Sequence, residues 1–124
     1  MRPGSHAHSP TVFVVVKRAV AICDPDGDDE ALAEFALAFE DDDEPVAALD
    51  EPDRRFFEVA EARMGDRPDP ALCMAAAVAT YLAFRRDELS DADDDLLRLA
   101  ARAEFGDRPP DDVAAWLREM GAGA

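Results

Sequence analysis

Residues 71–84 form an almost unbroken apolar run that only Thr80 interrupts. The run is too short to cross a bilayer, for which about 20 apolar residues are needed. A helix that is apolar on every side is stable in water only when other elements of the fold surround it. The sequence therefore predicts a helix from about residue 69 to residue 87 at the centre of the core.

Four other segments carry apolar residues on one face at the 3.6-residue period of a helix. These segments are residues 28–40, 50–65, 90–106 and 111–120, whose apolar faces include Phe35, Phe56, Leu96 and Trp116. The expected fold class is therefore all-α, with about five to six helices in a compact bundle.

Val12–Cys23 is compatible with two structures. Val12, Val15, Val16 and Ala19 follow helical spacing, and Ser9-Pro10 before them is typical of an N-cap and a first helical turn. The β-branched valines also suit a buried strand, but such a strand needs a partner and no other segment has a strand pattern. The pattern favours a helix, with a strand as the alternative.

Several residues mark the expected ends of the other helices. Asp50, followed by Pro52 and Asp53, is predicted to cap the third helix, and Ser90 is predicted to cap the fifth. Gly65 and Gly106 are predicted to end the third and fifth helices, because glycine is common just beyond a helix C-terminus.

The second half of the chain contains an internal repeat. Gly65-Asp66-Arg67-Pro68 recurs unchanged at residues 106–109, each time between two helical segments. The repeat predicts two related helical hairpins, at about residues 50–88 and 90–120. The expected domain organisation is a disordered tail, residues 1–10, followed by one helical domain, residues 11–124.

The charge of the chain limits its partners. Twenty-nine acidic residues outnumber 13 basic ones, which gives a formal net charge of −16. Direct binding to nucleic acid or to an anionic membrane is not expected, because phosphate groups are bound by Lys and Arg. A surface of this kind attracts basic proteins and divalent cations. Lys17 and Arg18 split the N-terminal apolar stretch, so a secretion signal is not expected and the predicted location is cytoplasmic.

The side chains of the expected folded domain exclude several kinds of catalysis. His6 and His8, the only histidines, both lie in the N-terminal tail, and the chain has no Asn or Gln. Ser-His-Asp triads, Cys-His dyads and histidine metal sites are therefore not expected in the domain. Cys23 and Cys73 lie in apolar sequence and are predicted to be buried, reduced thiols, with a disulfide between them as the alternative. We expect no catalytic site and no cofactor.

Five consecutive carboxylates follow the second predicted helix: Glu40, Asp41, Asp42, Asp43 and Glu44. The negative end of a helix dipole disfavours carboxylates, and repulsion within the run adds to that cost. We interpret the run as a solvated, mobile loop on an acidic protein. The alternative, and the one functional lead in the sequence, is that a basic partner, a cation or arginines from elsewhere in the fold neutralise it.

A second acidic segment has the alternating pattern of a calcium loop, with Asp24, Asp26 and Asp28. It departs from that pattern because its sixth position is Asp29 rather than glycine and its twelfth is Phe35 rather than glutamate. We interpret the segment as a turn with a helix cap, with a calcium site as the alternative.

These observations predict a non-enzymatic interaction module that binds a basic protein or associates with itself. One alternative is a nucleic-acid mimic that occupies a DNA-binding protein, although mimicry needs carboxylates spaced along a surface rather than grouped at helix ends. The other alternative is a protein that binds cations through carboxylates alone.

Overall fold

A computed structural model describes residues 10–66, 69–85 and 93–120. These residues form six α-helices: α1 Val12–Cys23, α2 Glu30–Leu37, α3 Pro52–Met64, α4 Pro70–Phe84, α5 Asp93–Phe105 and α6 Asp111–Glu119. A short 3-10 turn, Val46–Ala48, precedes α3. The described residues contain no strand, only one isolated antiparallel bridge between Thr11 and Pro45. The all-α prediction is confirmed, and Val12–Cys23 is a helix.

Helix α4 lies at the centre of the bundle, as its apolar sequence predicts. Helices α1, α2, α3, α5 and α6 all pack against it. Leu72, Met74 and Leu82 are fully buried, and burial of each such side chain stabilises the fold by about 1.5–3 kcal/mol. The buried Thr80 hydroxyl donates to the carbonyl of Ala76 at 2.8 Å, so this buried polar side chain is satisfied.

Helix α1 buries a stripe of small and β-branched residues against α4. Val12, Val15, Val16 and Ala19 are all completely buried, at the spacing of one helical face. The intrinsic preference of valine for strands is small compared with the free energy of burying this stripe. Tertiary packing therefore determines the conformation of the segment.

Side-chain caps begin three of the helices. The carboxylate of Asp29 accepts from the backbone N–H groups of Ala31 and Leu32, and Asp69 caps α4 in the same way. Helix α1 is capped by Thr11, whose hydroxyl accepts from the N–H of Val14 at 3.2 Å. The predicted Ser9 cap is therefore wrong by two residues, and Ser9 itself lies outside the described residues.

The predicted cap at Asp50 is also wrong. Pro52 occupies the first helical position of α3, so the N-cap is Glu51, which makes no side-chain cap hydrogen bond. Asp50 is one residue too far from the helix to take that position. The predicted cap at Ser90 and residues 1–9 of the predicted tail, residues 1–10, lie outside the described residues. Pro10, the last residue of that tail, is described, and its carbonyl accepts from the N–H of Val46 at 2.9 Å.

An aromatic cluster joins α2 to α3. The ring centroids of Phe35 and Phe39 are 5.4 Å apart, and those of Phe39 and Phe56 are 5.6 Å apart, both in edge-to-face geometry. All three rings are buried. Such pairs add about 0.5–1.5 kcal/mol beyond area burial. The cluster therefore anchors the chain on the N-terminal side of the acidic residues 40–44.

The glycine of each repeated turn has a positive φ. Gly65 and Gly106 have φ values of 60° and 64° and follow α3 and α5 directly. Residues 67 and 68 of the first turn lie outside the described residues. The two repeat units pack differently. In the first unit α3 packs closely on α4, whereas in the second unit α5 and α6 each pack on α4 and make little contact with each other. No helix in the described part of the chain has the length and apolar character to cross a membrane.

Candidate functional site

The five carboxylates of residues 40–44, here named the acidic loop, lie across the N-terminus of α1. The N–H of Val12 donates to the carbonyl of Glu44 at 2.9 Å, and the N–H of Phe13 donates to the carbonyl of Asp42 at 3.2 Å. Just beyond the loop, the N–H of Val46 donates to the carbonyl of Pro10 at 2.9 Å. Backbone hydrogen bonds therefore hold the loop in one position on α1.

This position changes the electrostatics that the sequence alone indicates. The acidic loop does follow α2. After the end of α2 the chain continues in tight turns, in which the N–H of Phe39 donates to the carbonyl of Ala36 and the N–H of Asp42 donates to the carbonyl of Phe39. It also lies at the positive end of α1, whose first turn contains no acidic residue of its own. Carboxylates near a helix N-terminus gain about 0.3–1 kcal/mol each. The dipole of α1 therefore acts on the loop in the opposite sense to the dipole of α2.

Asp42 differs from the other members of the acidic loop. Its side chain is only 14% exposed and forms an ion pair with Arg55 of α3. The guanidinium of Arg55 also lies 5.7 Å from the centroid of the Phe39 ring. An arginine from elsewhere in the fold therefore neutralises one of the five carboxylates.

The remaining four carboxylates, Glu40, Asp41, Asp43 and Glu44, belong to exposed residues. None of them forms an ion pair with a residue that the structure describes. Two residues with exposed apolar side chains neighbour the loop along the backbone. The carbonyl of Leu37, 58% exposed, accepts from the N–H of Glu40, and Val14, 45% exposed, follows Phe13, whose N–H donates to the loop. These six residues are named the acidic surface below. The acidic surface is therefore a candidate binding site, in which exposed carboxylates and apolar side chains lie on a fixed backbone.

The segment with Asp24, Asp26 and Asp28 is a turn between α1 and α2. The two carboxylate oxygens of Asp24 accept from the N–H groups of Asp28 at 3.1 Å and Asp29 at 2.9 Å. Gly27 supplies the positive φ, 72°, that the turn requires. Within residues 10–66, 69–85 and 93–120, no three His, Cys, Asp or Glu side chains are grouped closely enough to hold a metal ion.

Both cysteines are free thiols with raised pKa values. Burial raises the pKa of Cys23 far above its ordinary value, and Asp24 and Asp29 add to the effect. Partial burial, followed by repulsion from nearby carboxylates such as Glu104, raises the pKa of Cys73 to about 11. Because the thiolate is the reactive form, neither cysteine is activated as a nucleophile at neutral pH.

A second surface, which the sequence analysis missed, is a groove between α5 and α6. Its volume is about 340 Å³, and its lining includes Arg98, Arg102, Arg118, Leu99, Pro109 and Leu117. These residues define the arginine groove. Arg98 and Arg102 lie one helical turn apart, so their spacing in the sequence places both on one face of α5, which forms one wall of the groove. The contribution of Arg118 depends on how α6 packs and has no such signal.

The described chain is thus an all-α bundle with two oppositely charged surfaces and no close group of metal ligands. No protein-family model, curated protein or solved structure matches the chain significantly.

Proposed function

We propose that this protein is a non-catalytic interaction module whose acidic surface binds a basic protein. The observation that carries the proposal is the position of the acidic loop. Hydrogen bonds from Val12 and Phe13 fix its backbone, and four of its carboxylates belong to exposed residues. A fixed loop loses less conformational entropy on binding than a mobile one, so more of its interaction energy contributes to affinity.

Charge and apolar contact have different roles in this proposal. The net charge of −16 attracts a basic partner over distances of about a Debye length, which raises the rate of encounter. Charged groups at the rim of an interface contribute more to this rate than to final affinity. Val14 and Leu37 supply apolar area beside the carboxylates, and burial of that area stabilises the complex once it has formed.

Two further observations support a binding role in the cytoplasm. The raised pKa values of Cys23 and Cys73 fit structural thiols better than catalytic ones. Both cysteines are free, which is the usual state in a reducing compartment.

The proposal is tested by affinity capture from the source cells at low salt, with elution in a salt gradient. The test variant is Asp41→Asn, Asp43→Asn, Glu44→Gln, which neutralises three exposed residues of the loop. The matched control, Asp26→Asn, Asp66→Asn, Glu119→Gln, neutralises three exposed residues elsewhere. Both variants have the same net charge, so any difference between them reports position and not total charge.

We expect a basic protein to be captured by the natural sequence and by the control, and to be lost from the loop variant by about tenfold or more. Equal retention on the loop variant and the control would contradict a role for the acidic surface. Capture that does not weaken with salt would contradict the electrostatic basis of the proposal.

A further inference from the structure

The arginine groove has a charge opposite to that of the chain as a whole. Three arginines and one aspartate, Asp107, line it, so its local net charge is positive on a protein of net charge −16. Arg98 is paired with Asp95 on the same helix. Arg102 and Arg118 are exposed, and no ion pair joins either of them to an acidic residue of the described chain.

The rest of the groove lining is largely apolar. Leu99 is 38% exposed, although leucine is commonly buried in a protein of this size. Pro109 and Leu117 line the groove with it. The groove therefore suits a surface that combines carboxylates with exposed apolar side chains, because guanidinium groups bind carboxylates with two parallel hydrogen bonds.

The acidic surface of the same chain has this composition. Its carboxylates, Glu40, Asp41, Asp43 and Glu44, adjoin the exposed apolar side chains of Val14 and Leu37. None of these residues lines the groove, and the hydrogen bonds to α1 keep the loop in its own position. We propose that the arginine groove of one molecule receives the acidic surface of a second copy. This inference rests on the proposed function, since it assigns the acidic surface a further partner.

A contact between two different surfaces is heterologous, so it produces rings or open chains rather than a two-fold dimer. The net charge of each copy opposes the approach of the other. Salt weakens this repulsion beyond a Debye length of about 8 Å at physiological ionic strength. Self-association is therefore expected at high protein concentration in about 0.15 M salt, with assemblies larger than a dimer as concentration rises.

Sedimentation velocity over a series of protein concentrations tests the inference with two variants of the full chain. The groove variant is Arg102→Glu, Arg118→Glu, with Arg54→Glu on α3 as its control outside the groove. The loop variant is Asp43→Arg, Glu44→Arg, with Asp26→Arg as its control. The loop variant has less net negative charge than the natural sequence. Nonspecific repulsion therefore predicts that it associates more strongly, whereas the proposed contact predicts that it associates less.

We expect each variant alone to weaken association by about tenfold or more, and the controls to associate like the natural sequence. In a mixture, the unaltered groove of the loop variant can receive the unaltered acidic surface of the groove variant, so the two variants should form mixed complexes although neither associates well alone. A natural sequence that stays monomeric at millimolar concentration, or a loop variant that associates more strongly, overturns the inference. The proposed function is judged separately, because the groove variant keeps the acidic surface and should still capture the basic protein.

Discussion

Arg55 on helix α3 forms an ion pair with Asp42, 13 residues earlier in the chain, and so links the acidic loop to the bundle. The carboxylate of Asp42 is largely buried, whereas the Arg55 side chain is 46% exposed. The pair therefore lies at the boundary between surface and interior. Water screens the attraction between the two charges less there than on an open surface.

A double-mutant cycle with Arg55→Ala and Asp42→Ala should measure a coupling free energy of about 0.5–1 kcal/mol. The measurement is urea unfolding of the natural sequence, both single variants and the double variant. Arg54 provides a control, since its ion pairs with Glu51 and Glu58 join side chains that are all more than 60% exposed. Coupling at Arg55 no larger than that between Arg54 and Glu58 would show that burial of Asp42 adds nothing.

Thr11→Ala should lower the free energy of unfolding by about 1 kcal/mol. The substitution removes the hydroxyl that accepts from the N–H of Val14 at the start of α1. Thr11→Ser retains that oxygen and should be close to the natural sequence. Equal stability of the alanine and serine variants in urea unfolding would mean that the loop carbonyls alone satisfy this end of the helix.

Gly65→Ala and Gly106→Ala should each cost about 1–2 kcal/mol of stability. Both glycines have positive φ, and a Cβ atom at either position meets no atom within 4 Å beyond the neighbouring residues of the chain. The cost is therefore conformational and not steric. Urea unfolding of the two variants should give similar losses, and substitution of Ala62, an exposed residue inside α3, by serine should cost less.

Glu104→Gln should make the protein slightly more stable at neutral pH, by less than about 1 kcal/mol. Loss of hydration around this carboxyl, and then repulsion from Asp53, raises the pKa of Glu104. A raised folded-state pKa means that this group's contribution to stability is fully present below its unfolded pKa. That contribution is lost as pH rises through the folded pKa.

The gain from Glu104→Gln should accordingly disappear as pH falls below about 4, where the natural side chain is protonated in both states. Urea unfolding at pH 3.5, 5 and 7 measures this trend. Glu119→Gln on α6 removes the same charge from another exposed position and controls for the general relief of repulsion. A gain that is the same at all three pH values would contradict the assigned cause.

The two thiols should react slowly with a disulfide reagent in the folded protein. At pH 8 Cys73 should react more than about tenfold more slowly than an unperturbed thiol, because its pKa is raised to about 11. Cys23 is buried and should react only when the protein opens. In strong denaturant both thiols should react rapidly. Rapid reaction of both thiols without denaturant would contradict this structure.

Local patterns in the sequence were sufficient for the elements and for the centre of the bundle. The all-round apolar character of residues 71–84 identified α4, and helical spacing identified the buried faces of Phe35 and Phe56. The start of α3 was misplaced at Asp50, because a proline at the first helical position makes the preceding residue the cap.

The contacts of the acidic loop could not be predicted from the local sequence pattern. Its carbonyls meet the N–H groups of Val12 and Phe13, which are about 30 residues earlier, and Arg55 reaches Asp42 from another helix. The arginine groove could not be predicted from local pattern either, because Arg118 comes near Arg98 and Arg102 only once α5 and α6 have packed on α4. Contacts of this kind depend on tertiary geometry, to which periodicity is insensitive.

The hydrogen bond from the N–H of Val46 to the carbonyl of Pro10 closes residues 10–46 into a ring. The exposed turn at Pro25 and Asp26 lies near the middle of that stretch of sequence. A single proteolytic nick there would leave two pieces that the closure and the packing of α1 and α2 on α4 still hold in place. The acidic loop would thus keep its position on α1 after the polypeptide had been cut.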